Sequence, residues 1–132
     1  LFYMWLYVNV RNNDNIPGAL SFFILGSTIS VFLALIINSF TKVSLHTIAA
    51  GGWVTGMIFI VFDYSYGYLD LPLPIIDIQW RISDRLIIIG LVLVAGLVGS
   101  ARLYLKAHKE DEVYGGYIVG ILAQMLAYRI FF

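Results

Sequence analysis

The sequence predicts an all-α fold: a polytopic bundle of transmembrane helices, with four full spans and a partial one before them. Of its 132 residues, 61% are hydrophobic and only 12% are charged, and the mean hydropathy is +0.88. A soluble domain of this length cannot hide so much apolar surface, so lipid must be the solvent. We expect a single membrane domain, 1–132.

Charge and cysteine content exclude several classes of function. The formal net charge is zero, so the chain has no electrostatic footprint for a nucleic-acid partner. The absence of cysteine excludes disulfides, thiolate metal sites and a cysteine nucleophile. Because the sequence starts at Leu1 inside an apolar, aromatic run, we expect it to be truncated at its N-terminus.

Apolar runs and polar turns set the expected helix bounds. Residues 1–8 are too short to cross a hydrocarbon core of about 30 Å, and fit a truncated span or an interfacial end rich in aromatic residues. Full spans are expected at about 19–39, 45–62, 85–105 and 113–131. Two glycine pairs have the small-xxx-small spacing of close helix contacts, which could also serve membrane-protein partners; they are Gly52 with Gly56 and Gly116 with Gly120.

The order of spans and turns brings two distant polar segments to one face. Two spans separate the turn at 38–46 from the turn at 106–112, so both turns lie on the same side of the membrane. The longer loop at 63–84, which is rich in aromatic residues, lies on the other side. Both histidines of the chain, His46 and His108, fall on the first face. Ionisable groups clustered at that membrane end indicate a functional site.

The residues of this face suit phosphoryl transfer. Arg102 offers a planar fork for two phosphate oxygens, Lys42 adds a point charge, and Ser44 can donate a hydrogen bond. A neutral imidazole at His108 can attack phosphorus, and Glu112, one helical turn further on, can hold its tautomer. His46 can protonate the leaving alkoxide. We expect neither a metal nor a cofactor, because two cations can neutralise the transferring group.

Each of these residues also has a simpler interpretation when taken alone. Arg102 fits a snorkelling anchor at a helix end, and Ser44 fits an N-cap. The acidic residues at 110–112 fit the N-terminus of the last helix. Their combination at these spacings favours the phosphate site. Ligation of haem by His46 and His108 is a further alternative, and it predicts a Soret band.

The segment 101–115 resembles the third signature of the type-2 phosphatidic acid phosphatase superfamily, which reads Ser-Arg, five residues, His, three residues, Asp. Here Ala101 replaces the serine and Glu112 the aspartate. The segment 43–46, Val-Ser-Leu-His, is similar to the second signature, Pro-Ser-Gly-His. The first signature, a lysine followed after six residues by Arg-Pro, is absent between residues 1 and 132, and Lys42 is the nearest cation to its place.

The resemblance implies a lipid-phosphatase-like bundle with His108 as nucleophile, Glu112 as its partner and His46 as acid. Arg102, Ser44 and Lys42 would then hold the phosphate. The implied function is a membrane hydrolase, a phosphatase acting on a lipid phosphate or pyrophosphate through a phosphohistidine, whose partner is a membrane lipid with a phosphorylated headgroup. The alternative is a non-catalytic membrane subunit or scaffold of the same fold. The resemblance places the protein in the bacterial inner membrane, with the site on the non-cytoplasmic face.

Overall fold

The computed structural model describes residues 1–64, 68–73 and 78–132. Four of its helices are long and apolar enough to cross a membrane, as the sequence predicts, and a shorter helix precedes them. In chain order the elements are α1 (Phe2–Arg11), α2 (Gly18–Asn38), α3 (Leu45–Tyr64), β1 (Tyr68–Leu73), β2 (Ile78–Ser83), α4 (Asp84–Tyr104) and α5 (Glu110–Phe131). The assignment of 1–132 to one domain stays a prediction.

The segment expected as an irregular loop between α3 and α4 contains a β-hairpin. Strands β1 and β2 pair antiparallel, with Tyr68 opposite Ser83 and Leu73 opposite Ile78. The run Ile78–Ser83 alternates apolar and polar residues, which is the two-residue period of a strand. The prolines of this segment favour a loop and hid that signal. The sequence also predicts that Tyr64, Tyr66, Tyr68 and Trp80 lie at the membrane interface. Their side chains are outside the part of the chain that the structure describes.

Helix α5 begins at Glu110, three residues before the expected span. Its first turn consists of Glu110, Asp111 and Glu112. Carboxylates are stabilised near a helix N-terminus by the unpaired N–H groups and the helix dipole, so the acidic residues extend the helix rather than precede it. The histidine at position 108 therefore lies just outside α5, and the glutamate at 112 lies inside it.

Glycines of α3 and α5 bring these two helices into close contact. A Cβ added to Gly120 would overlap the Ile48 carbonyl and lie 2.7 Å from the Gly52 nitrogen. A Cβ on Gly116 would overlap the Thr47 hydroxyl, nearer the start of α3. The helices are therefore parallel, with both N-termini at one end. All four glycines of the two predicted pairs are buried within this chain, and their use by partner proteins stays a prediction.

Two buried apolar clusters support opposite ends of the bundle. At the end away from the two N-termini, Phe22 and Ala127 lie in a cluster that joins α1, α2 and α5. The Phe59 and Tyr128 rings stack there, with their centroids 4.3 Å apart. The second cluster lies beneath the turn between α2 and α3 and consists of Ala34, Val43, Ile48 and Val119. This second cluster supports the polar residues at that end of the bundle by close apolar packing.

Candidate active site

The two turns predicted to share a face meet through the backbone. The Ser44 N–H donates a hydrogen bond of 3.1 Å to the Glu112 carbonyl. Ser44 immediately precedes α3 and Glu112 lies in the first turn of α5, so this bond joins the two helix N-termini. Residues more than sixty positions apart in the sequence are thereby held at one place.

His108 and Glu112 form a hydrogen-bonded pair at this junction. The His108 Nδ1 atom lies 2.7 Å from the Glu112 Oε2 atom. The two side chains are largely buried, with exposed fractions of 12% and 13%. The same carboxylate oxygen lies 3.4 Å from the Lys109 backbone N–H, which completes the carboxylate half of a capping box. Because a carboxylate accepts from Nδ1–H, the imidazole is held in the tautomer whose Nε2 carries the lone pair.

The position of His108 depends on how α4 ends. The Lys106 N–H donates to the Leu103 carbonyl and the Ala107 N–H donates to the Arg102 carbonyl, at 2.9 and 3.1 Å. Lys106 has a φ of +50°, in the left-handed region. These two bonds and this angle constitute a Schellman motif, which ends the helix and reverses the chain direction. His108 follows that reversal directly.

Arg102 and Ser44 each place an unpaired polar atom at this end of the bundle. Arg102 lies in the last turn of α4, and its buried Nε atom has no hydrogen-bond partner among the described residues. Ser44 is fully buried, and its Oγ atom likewise has no partner there. Its hydroxyl therefore does not cap α3, contrary to the simpler interpretation from sequence. Buried donors without partners are costly, and an anion would satisfy both.

Lys42 and His46 flank Ser44 on the exposed side of the same turn. The Lys42 ammonium interacts electrostatically with the Glu112 carboxylate. His46 lies in the first turn of α3 with an exposed side chain, and the described residues give its ring no hydrogen bond. The structure thus places all six predicted residues at one end of the bundle, and among them the described side-chain hydrogen bond joins His108 to Glu112.

Comparison with protein-family models shows the family of this chain. The model of the PAP2 superfamily matches residues 23–132, which is most of the chain. The chain belongs to the PAP2 superfamily. Among curated proteins and among solved structures, nothing matches it. Membership and the four apolar helices make it an integral membrane protein, and they support a phosphatase-like function.

The region matched to the PAP2 superfamily contains every predicted site residue, from Lys42 to Glu112. It begins within α2, so α1 and the first turn of α2 lie outside the match. Among the described ranges, no three histidine, aspartate or glutamate side chains are grouped as metal ligands would be. The side chains predicted to act at the site are two imidazoles, one carboxylate, two cations and a hydroxyl.

Sequence reasoning missed one residue that shapes the site. The Asn38 side chain donates to the Ala34 carbonyl at 2.9 Å and accepts from the Val43 N–H at 3.0 Å. These two hydrogen bonds of Asn38 stabilise the turn that contains Lys42 and Ser44. The available signal was an asparagine directly after a long apolar run, since Asn side chains commonly hydrogen-bond nearby backbone groups at such ends.

Proposed function

We propose that this PAP2 member is a phosphatase that hydrolyses a lipid phosphate or pyrophosphate through a phosphohistidine at His108. The observation that carries the proposal is the 2.7 Å hydrogen bond between His108 Nδ1 and Glu112 Oε2. It supplies both requirements of an imidazole nucleophile, a fixed tautomer and an anion to stabilise the cationic ring. Family membership supports the phosphatase class, and the pair supports the mechanism.

In the first step, the His108 Nε2 lone pair attacks the substrate phosphorus. A nitrogen–phosphorus bond forms as the bond between phosphorus and the leaving oxygen breaks. His46 gives its proton to the leaving oxygen, which departs as an alcohol or, from a pyrophosphate, as a phosphate monoester. The Glu112 carboxylate stabilises the positive charge that develops on the His108 ring.

In the second step, water attacks the phosphorus of the phosphohistidine. His46, now neutral, accepts a proton from that water, and the nitrogen–phosphorus bond breaks. Inorganic phosphate leaves, and both histidines return to their starting protonation states. The cycle consumes one water and needs no oxidant or reductant.

The unpaired donors of the site would hold the transferring group during both steps. The Arg102 guanidinium and the Ser44 hydroxyl have buried atoms whose hydrogen bonds are unmade among the described residues. Lys42 adds positive charge from the exposed side of the turn. Donors positioned before the reaction stabilise developing negative charge without reorganisation, and in many enzymes this stabilisation contributes more to the rate than any other effect.

The membrane position of the site favours an amphiphilic substrate. The proposed residues lie where α3 and α5 begin and α4 ends, so a phosphate headgroup can reach them while its hydrocarbon stays in lipid. Superfamily resemblance supports a bacterial inner membrane with this end on the non-cytoplasmic side. We include that location in the proposal.

Substitutions at the pair test the mechanism in the purified protein. We expect His108→Ala to abolish release of phosphate from lipid phosphates, and Glu112→Gln to lower kcat by about 10²-fold or more. The matched control is Asp111→Asn, which removes an adjacent carboxylate with an exposed side chain and should leave kcat within about twofold. Radiolabelled substrate should leave an acid-labile phosphoprotein in the wild type and none in His108→Ala.

Two results would redirect the interpretation. Hydrolysis by His108→Ala at the wild-type rate would show that the mechanism is wrong. A wild-type protein that binds vanadate or lipid phosphate but releases no phosphate from any ester would favour the non-catalytic subunit or scaffold.

A further inference from the structure

A small, mostly polar cavity lies at the end of the bundle opposite the proposed active site. It has a volume of about 360 Å³, which is within the range of small-molecule sites. The described residues that line it come from α1 and the turn after it, from the first turn of α2 and from the end of α5. Most of this lining precedes the region matched to the PAP2 superfamily, which begins at residue 23. The cavity is therefore separate from the residues proposed to carry out the reaction.

Arg11 brings a guanidinium to this cavity, and a buried tyrosine holds it there. The Arg11 Nη1 atom donates to the Tyr7 hydroxyl at 3.3 Å, and the Arg11 Cζ atom lies 6.0 Å from the centroid of the same ring. Tyr7 is only 7% exposed and also lines the cavity, so its ring is a fixed support. Among the described residues, no carboxylate pairs with Arg11. Its remaining N–H donors are therefore available to a phosphate, whose oxygens match a planar guanidinium.

The start of α2 adds further donors to the same cavity. This helix follows Pro17 and has no side-chain cap, so its first backbone N–H groups, beginning with that of Gly18 in the cavity wall, lack a side-chain acceptor. Ser21 also lines the cavity and is only 3% exposed, and none of the described residues hydrogen-bonds its hydroxyl. Buried polar groups are normally paired, and a helix N-terminus favours an anion. Both features indicate a bound phosphate.

Asp14 gives the cavity a negative charge beside the positive one. Its exposed side chain lines the cavity together with Arg11, yet no ion pair among the described residues joins the two. The Asn13 side chain accepts a hydrogen bond of 3.1 Å from the Asn15 N–H, which orders the turn that contains Asp14. A phosphate alone would be repelled by this carboxylate. A headgroup with an ammonium beside its phosphate would satisfy both charges.

We propose that this cavity binds a phospholipid of the leaflet opposite the proposed active site, through a headgroup with a primary ammonium beside its phosphodiester. Arg11, the N-terminus of α2 and Ser21 hold the phosphodiester, and Asp14 accepts a hydrogen bond from the ammonium. Ile130 of α5 also lines the cavity and is exposed, so the attached hydrocarbon meets an apolar surface at the membrane. The lipid joins α1 to α2, and it is not the substrate, because His108 lies at the other end of the bundle.

Lipid binding to the purified protein, measured by native mass spectrometry with synthetic lipids, tests the site. The wild type should bind phosphatidylethanolamine about tenfold or more tightly than phosphatidylglycerol, which has the phosphodiester but no ammonium. Arg11→Gln and Ser21→Ala should each weaken binding of phosphatidylethanolamine about tenfold, the loss of a hydrogen bond to a charged group. Asp14→Asn should remove the preference for phosphatidylethanolamine over phosphatidylglycerol.

The matched control for these variants is Arg129→Gln. Arg129 lies in the last turn of α5, at the same membrane end, is exposed and lines none of the described cavities. Its loss should leave the affinity for phosphatidylethanolamine unchanged. Wild-type affinity in either Arg11→Gln or Ser21→Ala would overturn the inference. Equal affinities of the wild type for the two lipids would identify ordinary boundary lipid and overturn it as well.

Two further measurements separate this site from other sources of phosphate. Free phosphoethanolamine carries the same charges without hydrocarbon and should bind far more weakly than the lipid. Binding of phosphoethanolamine with the affinity of the lipid would assign the cavity to a soluble phosphate and overturn the inference. His108→Ala should bind phosphatidylethanolamine as the wild type does, whether or not the protein hydrolyses any ester. A loss of binding in His108→Ala would place the lipid at the proposed active site and likewise overturn the inference.

Discussion

Ser44 is completely buried, and its hydroxyl has no hydrogen-bond partner in the described part of the chain. The buried Nε of Arg102 has no partner there either. Leaving such a group unsatisfied costs about 1–3 kcal/mol in the ligand-free protein. Stability alone would favour alanine at position 44. The proposed phosphate site would account for a serine there, because a bound anion would accept its hydrogen bond.

Ser44→Ala should therefore separate stability from binding. We expect the free energy of unfolding to stay level or rise by up to about 1 kcal/mol, because an unpaired buried hydroxyl is removed. Inhibition by vanadate, which occupies the place of the transferring phosphoryl group, should weaken about tenfold, the loss of one hydrogen bond to a charged group. Thermal unfolding in detergent and vanadate titration give the two quantities.

The control for this experiment is Ser39→Ala in the same turn. Ser39 is exposed, and its hydroxyl donates to the Leu35 carbonyl at 2.9 Å. Ser39→Ala should change neither the free energy of unfolding nor the inhibition by vanadate by much. A large loss of stability in Ser44→Ala with unaltered vanadate inhibition would assign the hydroxyl a structural role.

Among the elements, the turn between α4 and α5 depends on one unusual backbone angle. Lys106 occupies the left-handed position of the Schellman motif, where glycine is the usual residue. A side chain there costs about 1 kcal/mol relative to glycine, because its Cβ crowds the following carbonyl. The motif orients His108, so this strain is located next to the proposed nucleophile.

Lys106→Gly should stabilise the protein by about 0.5–1 kcal/mol. Lys106→Ala removes the same charge without relieving the strain and is the matched control. Thermal unfolding of both variants in one detergent measures the difference. If alanine stabilises as much as glycine, the gain comes from the lost charge and not from the backbone angle.

The contact between α3 and α5 should be sensitive to a single methyl group. Gly120→Ala would drive its Cβ into the Ile48 carbonyl, and overpacking of this kind costs about 1–3 kcal/mol. Because the same contact aligns Ser44 with Glu112, we expect phosphatase activity to fall with stability. Gly90→Ala on α4 is the control, since nothing lies within 4 Å of its added Cβ. Equal unfolding temperatures for the two variants would contradict the packing described.

The helices could be predicted from sequence because their cause is local. A continuous apolar run of about twenty residues defines a span. The four-residue separation also kept His108 and Glu112 close, although His108 lies in the turn before α5 and not on the same helix face. The common face of the two polar turns followed from counting spans. These features need no knowledge of tertiary contacts.

The missed features arise from contacts between distant segments or from backbone strain. Lysine gives no signal for a left-handed residue, so the angle at Lys106 could not be predicted. The unpaired state of Ser44 depends on α5 covering it, and the burial of Gln124 depends on glycines in two other helices. Between α3 and α4, the prolines favour a loop by residue propensity, so the two strands of the hairpin were not predicted.

At the scale of the whole molecule, the proposed site exists because two parallel helices begin at the same end. The Ser44–Glu112 hydrogen bond joins α3 and α5 at that end, and α4 returns to it with Arg102. The turn between α1 and α2 lies at the opposite end of α2. The order of the helices therefore determines that these residues lie on one side of the membrane.

This arrangement predicts which positions share a compartment. The sequence contains no cysteine, so single cysteines can be introduced without a background. We expect Thr41→Cys and Glu110→Cys to react with a membrane-impermeant maleimide in intact bacteria, because the site is proposed to face outward. Asp14→Cys, in the turn between α1 and α2, should react only after permeabilisation. Labelling of positions 41 and 110 from opposite sides would contradict the fold. Labelling of both only after permeabilisation would preserve the fold and reverse the proposed orientation, which would restrict the substrate to lipid phosphates of the cytoplasmic leaflet.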